Sequence, residues 1–279
     1  MSIKISGTGS FIPKNIIKNN TFLDSEFYDK NGEPYPNSNK DIIEKFELIT
    51  GIKERRYADK NHNTSDLATF ASIEAIKDAG IDKEEIDYII VAHNFGEIDY
   101  NTNQYIALPS VATLVKHKLE ISNENCVAYD IIFGCPGWVE GIIQAKAFIN
   151  SGMAKKCLVI GADTLSRTVD KNDRDSLIFA DGAGAAIVEK SEDEGGILSH
   201  KTITKAGKEA LYLFCKNSYS PKIKSKTKFI KMNGRKVYEF AISTIPHALK
   251  SCIEKSGKNI DDIKKICLHQ ANEKLEEAV

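Results

Sequence analysis

Tyr129-Asp130-Ile131-Ile132-Phe133-Gly134-Cys135-Pro136-Gly137-Trp138-Val139-Glu140-Gly141 is the stretch on which the reading of this chain turns. An apolar run meets a glycine, then a cysteine, then a proline that opens a helix. Proline suits the first helical turn because its missing N–H has no helical partner there. The order strand, sharp turn, helix is the building unit of an α/β fold.

Outward from it, the same alternation continues. Asp87–Ala92, Cys126–Tyr129, Cys157–Gly161 and Ala185–Val188 are short apolar runs rich in β-branched residues, as in strands covered on both faces. A helical pattern starts near Ser65, places Leu67, Phe70, Ala71 and Ala75 on one face, and stops at Gly80. Another runs from Pro136 to Asn150 and ends at Ser151-Gly152. The expectation is an α/β architecture with a largely parallel sheet.

A weak repeat lies 177 residues further on. Ala71, Ile76, Gly80, Glu85, Ile86 and Ile89 fall on Ala248, Ile253, Gly257, Asp262, Ile263 and Ile266. Both copies read as helix, glycine cap, acidic turn and apolar strand, ending near His93 in one and His269 in the other. Convergence on a common helix-turn-strand unit explains this as well as duplication does. On duplication, the fold is two similar α/β halves. The second copy runs to Val279 with no closing strands after it, so the reading expects the N-terminal portion of a longer protein.

Composition excludes several classes. The chain has 279 residues, 42% hydrophobic and 28% charged, with a net charge of −1. That balance is ordinary for a globular protein and offers no global attraction for nucleic acid or an anionic membrane. Met1-Ser2-Ile3-Lys4-Ile5 reads as a strand, not a signal peptide, and no apolar run is long enough to span a bilayer. Six cysteines without a CxxC pair fit a reducing, cytoplasmic setting, with Cys126, Cys157 and Cys267 as small buried thiols in strands.

Two positions carry chemistry. Cys135, placed at a helix N-cap, faces unpaired backbone N–H groups and a positive dipole end, which favour thiolate. Its own N–H points where an oxyanion could form. A buried cysteine at a tight turn is the competing reading of the same pattern. His269 follows an apolar strand and precedes a helix, where a side chain can face a crevice; alone, such a histidine is more often structural. No second ligand cluster accompanies Cys267 and His269, so no metal is expected. Gly7-Thr8-Gly9 and Asp181-Gly182-Ala183-Gly184-Ala185-Ala186 lack a dinucleotide fingerprint and read as tight turns that let backbones approach. Lys216 to Arg235 reads as a solvated basic loop, or one that docks an acidic partner or a phosphate-bearing substrate.

Several of these pieces together resemble the ketoacyl synthase III family of thiolase-like condensing enzymes. They are Thr50-Gly51-Ile52-Lys53-Glu54-Arg55-Arg56, the Gly-Cys-x-Gly turn, Ser166-Arg167-Thr168 with Asn172-Asp173-Arg174, the Asp-Gly-Ala-Gly-Ala-Ala run, Met232-Asn233-Gly234, and His269-Gln270-Ala271-Asn272. The resemblance implies a thiolase-like fold of two duplicated αβαβα halves, the second incomplete. Residues 1–190 would be the half carrying the nucleophile, and 191–279 the start of the half carrying the histidine. It implies a homodimer and a ping-pong reaction without cofactor. Cys135 would take an acyl group from acyl-CoA; a malonyl-acyl carrier protein would lose CO2, and its enolate would attack the acyl-enzyme. His269 would donate to the enolate oxygen, together with an asparagine from a motif that lies beyond this sequence. Arg174, Gly234 and Ala271 would bind substrate, Arg174 at the nucleotide end of coenzyme A. Without that asparagine and the last strands, the chain is expected to be inactive alone.

There are departures. Lys45 stands where a tryptophan stacks on adenine, and Glu239 where a docking lysine is expected. The loop from Asn94 to Tyr105, which in the family shapes the neighbouring subunit's acyl pocket, is long. Primer choice could therefore differ, with Glu97 as an extra base or as an exposed loop carboxylate. The alternatives are a specialised condensing enzyme of secondary metabolism that takes longer or β-keto acyl groups, and a non-catalytic acyl-binding paralogue.

Overall fold

The computed structural model describes residues 2–279. In chain order the strands are β1 (Ser2–Phe11), β2 (Asn15–Lys18), β3 (Glu54–Tyr57), β4 (Tyr88–His93), β5 (Glu97–Ile98), β6 (Tyr105–Ile106), β7 (Val127–Ile132), β8 (Lys156–Thr164), β9 (Asp181–Ser191), β10 (Leu213–Lys216) and β11 (Phe229–Met232). The helices are α1 (Asn39–Thr50), α2 (Thr64–Ala79), α3 (Val111–Lys118), α4 (Gly137–Asn150), α5 (Gly234–Lys255) and α6 (Glu273–Ala278). They group into two compact units whose segments interleave along the chain. The first is 2–15, 56–167 and 180–198; the second is 16–55, 168–179 and 199–279.

The first unit is a five-stranded sheet in the order β1-β9-β8-β4-β7, with helices on both faces. Side chains alternate across a strand, and the burial follows that period of two. Ile89 and Val91 of β4, Leu158 and Ile160 of β8, and Ile187 of β9 point to α2 and α3, meeting Ala68, Ala71, Ala75, Val111 and Val115. Ile90, Val159, Ala186 and Val188 point the other way, to Ile142, Ala145 and Ile149 of α4. Small residues dominate the inner face of α2, and it lies unusually close to β1. A Cβ on Gly7 or Gly9 would overlap the carbonyl oxygens of Ala75 and Ala71. The glycines therefore serve close backbone approach, but inside a strand and not at a turn; Gly182 and Gly184 likewise lie within β9.

The sheet is mixed rather than largely parallel. β4 pairs parallel with β7 and with β8, whereas β9 pairs antiparallel with β8 and with β1. The cause is connectivity. β4 to β7 and β7 to β8 cross over through α3 and α4, but β8 to β9 has no crossover helix, so the chain turns back on itself.

In the second unit, Phe27, Ile42, Ile43 and Leu177 form a small core with Phe22, Tyr35 and Phe46 packed against it. β10 and β11 make an antiparallel pair that leads, through the N-cap Asn233, into α5. The basic segment 216–235 is thus partly ordered strand. Its Lys231 is buried at 1% exposure, against the expectation of a solvated face.

The repeat survives except for its last element. α2 ends on left-handed Gly80 and is followed by an Asp82-capped turn and β4. α5 is followed by Gly257 at φ 74° and by a turn boxed by Asn259 and Asp262. Residues 263–270 then form no strand, and Cys267 is exposed rather than buried. A strand needs a ladder partner for its N–H and C=O groups. Among the described residues none runs beside this segment. No helix among them is long and apolar enough to cross a membrane.

Candidate active site

β7 ends at Ile132, in register with His93 at the end of β4. The Phe133 N–H still donates to the His93 carbonyl at 3.3 Å, and then the ladder stops. Gly134 takes φ 71°, a left-handed conformation that disfavours any side chain. A Cβ there would also sit 3.0 Å from Asn94 Oδ1. The turn closes by Gly137 N–H donating to the Gly134 carbonyl at 2.9 Å, and α4 begins at Gly137. Gly137 lets the helix start against β4, where a Cβ would lie 2.9 Å from that of Ala92. Trp138 of α4 is half-buried and packs against the core.

This geometry corrects one expectation. Pro136 is the N-cap, with φ −79° and ψ 0°, so Cys135 stands one position outside the helix. Cys135 as a residue is exposed. Its pKa is nevertheless raised from an ordinary 9.0, first by the crowding of protein around the sulfur and then by the Asp163 carboxylate; its own backbone N–H acts in the opposite sense.

Asp163 is the site's unforeseen member. It sits near the end of β8 and accepts from the Asn94 backbone N–H at 3.0 Å, from Asn94 Nδ2 at 2.7 Å and from the Phe95 N–H at 3.4 Å. Burial pushes its pKa up, against the pull of these donors and of His93. Asn94, so held, is the residue that faces Gly134. His93, 2% exposed, lies 3.0 Å through Nε2 from Asp130 Oδ2, while Nδ1 is buried without a partner. Asp130 also accepts from the Val111 and Ala112 N–H groups at 2.8 Å each, fixing the start of α3. The available signal was position: Asp130 and Asp163 lie in the C-terminal halves of β7 and β8, and Asn94 just past β4, toward the edge where an open α/β sheet gathers its polar groups.

Glu97 is neither exposed nor free. At 5% exposure it accepts from the Ser65 N–H at 2.9 Å and Ser65 Oγ at 2.7 Å, holding the first turn of α2. Lys118 Nζ donates to the same Oγ at 2.6 Å.

The remaining candidates belong to the second unit. His269 is exposed in the segment before α6 and closes a tight turn in which the Ala271 N–H donates to its carbonyl at 2.9 Å. Local enclosure of the ring holds its pKa below 6.5, with Glu276 pulling the other way, so the ring is neutral at pH 7. Asn272 caps α6 by accepting from the Leu275 N–H at 3.0 Å. The Arg174 guanidinium lies 4.3 Å from the centroid of the Tyr35 ring, with Nε 3.7 Å from Asp175. Gly234 is the first residue of α5. Lys45 is exposed, and Glu239 pairs with Arg235 and Lys236 at 2.9 and 2.7 Å.

Residues 129–206, which include the Cys135 turn and Arg174, match the family described as 3-oxoacyl-[acyl-carrier-protein (ACP)] synthase III. The β-ketoacyl-[acyl-carrier-protein] synthase III of Staphylococcus epidermidis is 36% identical over all of this chain and 79% of its own length. That of Clostridium acetobutylicum is 36% identical over 97% of this chain and 77% of its own. Among solved structures, 3-oxoacyl-[acyl-carrier-protein] synthase III from Aquifex aeolicus superposes with a TM-score of 0.81 at 31% identity, over 99% of this chain and 79% of that one.

Proposed function

The chain belongs to the 3-oxoacyl-[acyl-carrier-protein] synthase III family, and on that premise we propose that it performs a decarboxylative condensation with Cys135 as nucleophile. In the first half-reaction the Cys135 sulfur attacks the carbonyl of an acyl-CoA. A carbon–sulfur bond forms to Cys135, the bond to coenzyme A breaks, and coenzyme A leaves as the thiol with the proton that Cys135 gives up. The Cys135 N–H is available to the oxyanion that forms on the way. In the second half-reaction a malonyl-acyl carrier protein loses CO2. The enolate carbon attacks the acyl-enzyme carbonyl, and Cys135 leaves, giving a 3-oxoacyl carrier protein. His269, neutral and so retaining one N–H, is assigned to the enolate oxygen. Arg174 is assigned to the nucleotide end of coenzyme A, with Gly234 and Ala271 among the substrate-binding positions. The pathway served is the initiation of fatty acid synthesis.

The observation that carries this reading is the Cys135 turn, which sets an exposed cysteine just ahead of α4 between glycines that leave little room for a side chain. Incubation with acetyl-CoA followed by intact-mass measurement should show one acetyl adduct, absent in Cys135→Ala. An adduct that persists in that variant removes Cys135 from the mechanism. Running medium-chain acyl-CoA beside acetyl-CoA tells a fatty-acid starter enzyme from one that joins longer chains.

A further inference from the structure

We propose that Lys231 is a positioning residue for coenzyme A recognition: its buried ammonium, shared by Asp170 and Asp173, fixes the segment carrying Arg174 against the strand that delivers Gly234. This rests on the assignment of Arg174 to coenzyme A made above.

The Lys231 side chain is fully buried. Its Nζ donates to Asp170 Oδ2 and, at 3.0 Å, to Asp173 Oδ2, and lies 3.5 Å from the centroid of the Tyr219 ring. Two carboxylates and a ring face thus account for the three directions in which an ammonium donates. Each acid makes further hydrogen bonds, Asp170 across to residues 218–219 and both acids within their own segment. Asp170 accepts from Ser218 Oγ at 2.9 Å, from the Tyr219 N–H at 2.8 Å and from the Asn172 N–H at 3.1 Å. Asp173 accepts from the Asp175 N–H at 3.0 Å, capping the short helical turn Arg174–Ile178. A backbone bond from the Ile230 N–H to the Thr168 carbonyl, at 2.9 Å, joins the same two segments beside the ion cluster.

Such a cluster is a poor way to gain stability alone. Desolvating one cation and two anions offsets most of their attraction, and apolar side chains of equal volume often do as well. What charge adds over apolar packing is direction. Apolar packing tolerates sliding, whereas an ammonium held by two carboxylates allows one register. Lys231 lies three residues before Gly234, and Asp173 immediately before Arg174. The far end of Arg174 rests on Tyr35. The guanidinium is thus set by its backbone on one side and an aromatic face on the other.

The test uses the full chain and four variants: Arg174→Ala, Asp173→Asn, Lys231→Met and the double Asp173→Asn/Arg174→Ala. The readouts are the half-saturating acetyl-CoA concentration for Cys135 acylation, its limiting rate, the rate of Cys135 alkylation by iodoacetamide, and the melting temperature. Arg174→Ala should raise half-saturation roughly tenfold or more, the worth of one charge-assisted contact. Asp173→Asn, which leaves the Lys231–Asp170 pair intact, should raise it severalfold while the limiting and alkylation rates stay at wild type. The double variant should be no worse than Arg174→Ala, because Asp173 acts through Arg174. Should Lys231→Met not fold, Asp173→Asn and the double variant decide. Melting temperatures that fall while half-saturation stays at wild type in Asp173→Asn would make the cluster merely structural. So would multiplying effects in the double variant. Either result overturns the proposal and leaves the Arg174 assignment standing. An unchanged half-saturation in Arg174→Ala removes that assignment, and the proposal with it.

Discussion

At the scale of single residues, crowding by protein and the Asp163 carboxylate raise the pKa of the Cys135 thiol. A raised pKa means little thiolate at neutral pH and a reactivity that climbs with pH. Alkylation of Cys135 by iodoacetamide should therefore reach half its maximal rate above pH 9.0, the ordinary value. Asp163→Asn removes the opposing charge and should move that profile to lower pH; a profile that stays put would take Asp163 out of the account. The strand-turn-helix around Cys135 was legible in the sequence because glycine and proline punctuate it, although a buried cysteine at a tight turn remained the competing reading. Asp163 was not. In Gly161-Ala162-Asp163-Thr164 it looks like the polar tail of a strand, and its partners Asn94 and Phe95 lie almost 70 residues away. Sequence pattern reports local periods, while this contact exists only because β8 lies beside β4.

Elements show the same division. Glu97 reads as a loop carboxylate until the start of α2 folds over it. Glu97→Ala should cost about 1–3 kcal/mol, because the Ser65 N–H is left buried and unpaired. Urea denaturation at unchanged m-value would register it. Glu97→Gln, which keeps one acceptor, should lose less. The turn Arg174–Ile178 carries a different signature. Burial, then the Asp173 charge, push the Asp175 pKa from 3.8 up to about 6, against the pull of Arg174 and Lys231. The folded state then holds a proton that the unfolded chain has released. Asp175 therefore contributes a falling stability as pH rises from about 4 to 6, level above that. Asp175→Asn should flatten this part of the stability–pH curve, and an unaltered slope in urea titrations at pH 4, 5 and 6 would refute it. The second copy of the repeat teaches the converse. Its helix, glycine and acidic turn are local and were read correctly from Ala248 to Asp262. Its strand depended on a neighbour, which no window of sequence contains.

For the whole chain, α/β architecture and thiolase-like kinship were both readable, the first from strand and helix periods, the second from several short motifs in order. Sheet polarity was not, because the direction of β9 is set by how the connection from β8 returns. Nor was the interleaving of the two units. Amide exchange should reflect that organisation. Ile89, Ile90 and Val91, fully buried between two strands, should exchange slowest, and residues 260–279, none of them buried, fastest. Comparable protection in the two would contradict the packing described. The antiparallel seam between β1 and β9, which joins Ser2 to Ser191, also has a consequence for biosynthesis. The ribosome releases β1 long before β9, and at ordinary elongation rates the wait is roughly 10 to 40 s. Through that interval a glycine-bearing ribbon shaped to fit α2 has no ladder partner on either side. Chaperone dependence during translation should therefore hinge on this first strand more than on any later one.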